Sequence, residues 1–155
     1  MVALWTSVVA VAGTLLGSVI THVFQRLAAR RNETFTRAEA LRQERIATYV
    51  AFAAAAEEFR RGQADRWFRR QEDPEGDAFL TARDTAHHLR TTARQELYRV
   101  KLLTEDAGVL AAADRAYGDT RDIALAEDRA DQRERDARAK ESIEAFVARA
   151  SPLVR

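Results

Sequence analysis

Side chains able to do chemistry are plentiful in this chain, but they are not arranged for it. The histidines are His22, His87 and His88. The last two are adjacent, so on a helix they diverge by about 100° and cannot share one metal ion. None of the three has a Glu three residues before it, as a di-iron helical bundle requires. Carboxylates are many and scattered. Neither a G-x-S-x-G elbow, an S-x-x-K pair nor a glycine-rich phosphate loop occurs, and with no cysteine in the chain thiol and disulfide chemistry are excluded. The expectation is therefore a protein that is not an enzyme and carries no metal and no cofactor.

One stretch does combine charge with aromatic surface, running from Arg60 to Arg70. Arg60, Arg61, Arg66, Trp67 and Arg70 form a candidate partner patch. Basic residues interleaved with aromatics suit phosphates and stacked bases. Glu57, Glu58 and the acidic residues 72–77 offset much of this charge, so a protein partner is favoured here over nucleic acid. The rival reading is a solvated helix end, with Trp67 and Phe68 packed beneath the following loop.

These residues need elements to carry them. Of the chain's 155 residues 32% are charged, glycine and proline are scarce, and net charge is only +1. Such a composition favours long helices. It also gives the whole chain no electrostatic pull on nucleic acid. The charge is unevenly placed. Residues 25–45 carry net +3 and residues 46–155 net −2. The basic collar is suited to anionic lipid headgroups.

Met1 to Phe24 holds no Asp, Glu, Lys or Arg. As a helix rising about 1.5 Å per residue, Val2 to Phe24 reaches about 34 Å, enough for a hydrocarbon core of about 30 Å. Trp5 suits the interface, and Arg26, Arg30 and Arg31 follow the far end. The positive-inside rule then places the N-terminus outside and the C-terminal body in the cytoplasm, as a single-pass protein of the cell membrane. A signal peptide would carry a basic leader before the apolar run, and a lipid anchor needs a cysteine or Gly at position 2. Two rivals stay open: a cleaved signal peptide, for which Ala10-Val11-Ala12 has cleavage-site character but leaves a short apolar core before it, and a buried helix of a soluble bundle. Gly13 and Gly17, continued by Thr21, form a small-residue row through which two spans could associate as a homo-oligomer.

Beyond the span, apolar residues recur at Phe35, Ala38, Leu41, Ile46, Tyr49, Phe52, Ala56 and Phe59, which reads as one helix face. From Ala51 to Ala56 the helix is apolar on most sides and is expected at the bundle centre. Residues 71–76 carry Pro74 and Gly76 and mark a loop, with Asp77 as the expected cap of the next helix. That helix should end near Thr104, and Asp106 should cap a third. A further connection is expected within Asp128–Arg138, and Ser151-Pro152 should stop the last helix. The domains expected are a transmembrane helix at 1–24, a juxtamembrane and first bundle helix at 25–70, and the remaining helices at 77–151. The fold class is all-α, with the transmembrane helix continuing into a long helix of an antiparallel three- to four-helix bundle.

The run Val11 to Ser18 followed by Thr21 to Gln25 resembles the start of a family of small actinobacterial single-span membrane proteins. Leu41 to Arg45, Tyr49, Ala51 to Ala53, Phe59 to Arg61 and Asp65 to Trp67 are similar to that family further along. Some of its members are of the KilB type, associated with plasmid transfer and spread. The resemblance implies a component of plasmid transfer that contacts the transfer machinery or DNA. The residues by themselves imply a membrane-anchored helical bundle that acts as a scaffold through an unidentified protein partner.

Overall fold

A computed structural model describes the backbone of residues 2–155 and the side chains of residues 25, 33 and 35–155. The elements are α1 (Val2–Glu72), α2 (Asp77–Leu103), α3 (Ala107–Asp122), a 3₁₀ turn at Ile123–Leu125, α4 (Arg129–Ala150) and a final 3₁₀ turn at Ser151–Val154. The protein is all-α, and no strand occurs among the described residues. Among those residues no helix is long and apolar enough to cross a membrane. The expected span at 1–24, with Gly13, Gly17 and Thr21, lies outside the described side chains.

The chain forms two compact units, Met1–Leu41 and Arg42–Arg155. In the first, Phe35 stays 71% exposed. It belongs to the apolar face read along α1, but burial of that face begins further along, with Ile46 half-buried and Tyr49 and Phe52 buried.

The second unit is an antiparallel four-helix bundle, and its cross-links give the topology. Arg45 near the start of this unit donates to the Leu103 carbonyl at the end of α2, while Gly62 approaches Leu89 midway. Lys101 pairs with Asp114 across α2 and α3, and Ser142 of α4 donates to Asp119 of α3. Arg42 donates to the Val154 carbonyl, and Arg60 pairs with Asp136, so α4 runs back along α1. Links of a few residues produce this up-and-down order.

Its core joins all four helices: Tyr49, Phe52 and Ala56 of α1, Leu97 and Val100 of α2, Val109 and Ala113 of α3, and Ile143 and Phe146 of α4. Phe146 meets the edges of Phe52 and Tyr49 with centroids 4.9 and 5.9 Å apart. Edge-to-face pairs of this kind add about 0.5–1.5 kcal/mol each beyond their buried area. Much of the remaining core is alanine, which lets helix backbones approach closely. A Cβ on Gly62 would sit 2.6 Å from Leu89 Cδ1, so α1 and α2 are in contact there.

Asp106 caps α3, its carboxylate accepting from the Val109 N–H at 2.8 Å. Three local expectations need correction. Gly76, not Asp77, is the N-cap of α2; Asp77 lies in the first turn, where its charge still favours the positive helix end. The connection expected within Asp128–Arg138 falls earlier, at residues 123–128. Asp128 caps α4 by accepting from the Ala130 and Asp131 N–H groups at 2.8 and 2.9 Å. The charged residues after it are helical and joined by Asp131–Arg135 and Glu134–Arg138 pairs at i,i+4. The third correction concerns Ala51–Ala56. Phe52 and Ala56 are fully buried, yet Ala54 is exposed, so this segment borders the surface rather than filling the centre.

Candidate functional site

The stretch from Arg60 to Arg70 covers almost three turns of α1, and the helix distributes its residues to different neighbours. Arg60 turns to α4. Its Nε and Nη2 donate to Glu57 at 2.9 and 2.7 Å, and its Nη1 to Asp136 at 2.5 Å. These bonds hold the Glu57 carboxyl below its usual range, and the hydrogen bond from Arg60 is the largest cause. The same contacts, led by Glu57, raise the Arg60 guanidinium above its usual value. Arg61 pairs with Glu57 at 3.5 Å and is exposed. Arg60 is thus committed to a structural link between α1 and α4.

Trp67 is 4% exposed, and its Nε1–H donates to the Ala126 carbonyl at 2.8 Å. It is a core residue that pins the turn after α3, and its ring is closed to a stacking base. Phe68 packs edge-on to it with centroids 5.2 Å apart and is 40% exposed. Gln63, one turn earlier and buried, donates its Nε2–H to the Arg121 carbonyl at 2.7 Å. Two α1 side chains therefore hold the corner between α3 and α4.

Arg66 and Arg70 face the other way, into a cavity of about 300 Å³. His87 and Arg90 of α2 line it, with Arg121 from the end of α3 and Leu125 from the turn. No carboxylate lines it. Arg66 is half-buried, and neither Arg66 nor Arg70 has a carboxylate partner among the described residues. Burial first, and then the charges of Arg70, Arg83 and Arg90, pull the Arg66 guanidinium below the usual arginine value. The patch expected on one helix is therefore divided. Arg60, Arg61 and Trp67 belong to packing or ion pairs, while Arg66 and Arg70 join a basic cavity built by three helices. His87, Arg90 and Arg121 were not part of the expected patch. Arg83, His87 and Arg90 are spaced four and three apart and so share one face of α2, which is the sequence signal for the second wall.

A separate apolar concavity of about 440 Å³ lies between α1 and α4, lined by Ile46, Tyr49, Val50, Ala53, Phe146 and Val147 among others. Val50 is 63% and Val147 49% exposed there. As for metals, no group of three or more His, Asp or Glu side chains able to hold an ion occurs among the described residues.

The fold and these surfaces define an all-α bundle that carries a basic cavity and an apolar groove. The profile of the KilB plasmid transfer protein family matches residues 46–154, which is the bundle itself. The chain belongs to the KilB plasmid transfer protein family. No curated protein and no solved structure matches it.

Proposed function

We propose that this protein is a membrane-anchored helical bundle that serves plasmid transfer by binding a protein partner at the membrane. The family match over residues 46–154 is the observation that carries the process. The anchor is supported by the uncharged run from Met1 to Phe24 and the arginines that follow it. Tethering raises the local concentration of the bundle for partners on the same surface, so weak contacts suffice. The orientation proposed is N-terminus outside and bundle in the cytoplasm. The exposed apolar surface around Val50 and Val147 is the kind of surface a protein partner covers.

Lysed cells separated by ultracentrifugation without detergent test the anchor. The full chain should pellet with membranes, and a reporter fused after Arg155 should read cytoplasmic. Full-length protein in the supernatant would remove the anchor, and an external reporter signal would reverse the orientation.

The second reading, contact with DNA, is supported by the family match over residues 46–154. It predicts a DNA shift by the full chain that weakens steeply with salt. No shift at low salt would remove it.

A further inference from the structure

We propose that the cavity between α1, α2 and the end of α3 is a binding site for a small phosphorylated ligand carrying at least two negative charges. The proposal stands independently of the membrane and plasmid-transfer reading.

Elsewhere in the bundle the half-buried arginines are matched. Arg60 has Glu57 and Asp136, and Arg135 has Asp131 and the Asp122 carbonyl. Arg66 is the exception. It is half-buried, Arg70 and Arg90 line the same space, and no carboxylate does. Desolvating a guanidinium beside like charges is unfavourable unless something compensates it. Two neighbours already have partners, since Arg83 holds Asp84 and Arg121 holds Asp122. Arg90 has only the weak acceptor Tyr117 Oη, at 3.4 Å. The cations left without a carboxylate are thus the half-buried Arg66 and the exposed Arg70 and Arg90, converging from two helices.

The chemistry of the ligand follows from the donors. Guanidinium groups present planar forks that match phosphate oxygens in pairs. Three cations without a carboxylate partner suit an anion of charge two or more, which one phosphate or a diphosphate supplies and a single carboxylate does not. Size points the same way. At about 300 Å³ the cavity is of small-ligand scale, and Ala86, Ala124 and Leu125 give it an apolar wall for the organic part of a phosphoester. A nucleic-acid strand would instead need a basic track with open aromatic platforms, and Trp67 is closed. The walls are preorganised, because Gln63 and Trp67 fix the corner that carries Arg121 and Leu125.

The experiment is a calorimetric titration of inorganic pyrophosphate into the full chain in neutral detergent, at about 50 mM salt so that screening stays weak. Binding with a Kd at or below about 1 mM is expected. Arg66→Gln should weaken it by about tenfold or more, equivalent to about 1.4 kcal/mol. Arg66→Lys, which keeps the charge without the fork, should fall between the two. Thermal unfolding of Arg66→Gln without ligand should not drop, since the change relieves repulsion; a marked drop would assign Arg66 to packing and overturn the proposal. No heat at saturating pyrophosphate, or equal binding by wild type and Arg66→Gln, would also overturn it. An oligonucleotide that binds where pyrophosphate does not would overturn the small-ligand assignment and give these cations to nucleic acid.

Discussion

Replacing Arg60 by Met distinguishes a structural arginine from one reserved for a partner. The methionine keeps much of the aliphatic stem and removes three charge-assisted hydrogen bonds, two to Glu57 and one to Asp136. Glu57 keeps Arg61 at 3.5 Å. Asp136 loses its cation, with its side chain 31% exposed and the lost guanidinium having been only 15% exposed. Breaking a fully buried pair costs about 3–5 kcal/mol. Partial rehydration of Asp136 lowers this to about 2 kcal/mol, or about a 30-fold loss in the folding equilibrium. Asp136→Asn should cost about 1 kcal/mol, because Arg60 retains Glu57. The two changes should then be non-additive, with a coupling of about 1 kcal/mol. Urea unfolding of the full chain in neutral detergent, followed by far-UV circular dichroism, reads these values from the midpoints if the slope is unchanged. An Arg60→Met midpoint within about 0.5 kcal/mol of wild type, or strict additivity, would refute the α1–α4 link and return Arg60 to the pool of free surface cations.

The same network predicts an acid limb. Glu57 titrates lower in the folded chain than when free, because Arg60 donates to its carboxylate. Its contribution to stability is therefore present at neutral pH and is lost as pH falls below about 4.3, where the unfolded glutamate takes up its proton. Glu57→Gln should flatten that part of the stability–pH curve; an unchanged acid limb would show that Glu57 contributes nothing to it. At the α1–α2 contact, Gly62→Ala should be nearly neutral by thermal unfolding, since the Leu89 end can rotate away and alanine favours helix. Gly62→Leu should cost about 2 kcal/mol through overpacking, and equal stabilities would show that the helices are not in contact there. Gly17→Ile should weaken self-association of the proposed span in a membrane two-hybrid assay, and an undiminished signal would remove the small-residue face.

Helices with regular apolar spacing were legible in the chain. The face from Ile46 to Phe59 has a period that a helix satisfies, and it is buried as that period requires. The start of α4 was not legible, because Arg129 to Arg138 is held by a capping Asp128 and by charge pairs rather than by an apolar stripe. Ala51–Ala56 misled for a related reason. Alanine is apolar but small, and it borders an open groove as readily as it fills a core. At the candidate site, the linear run made neighbours of Arg60 and Arg66, which the helix turns toward different partners. Half of the basic cavity comes from His87, Arg90 and Arg121, and only tertiary packing brings α2 and α3 beside Arg66.

Plasmid transfer itself is the most direct measure of the account. Donor cells that lack this gene should transfer the plasmid poorly, and the full chain supplied in trans should restore transfer. The same chain with Leu15→Asp and Leu16→Asp should fail while remaining folded by circular dichroism, since each charge at the centre of a span costs about 2.5–3.5 kcal/mol on insertion. Undiminished transfer without the gene, or full rescue by the doubly charged chain, would contradict the claim that a membrane-held bundle serves that process.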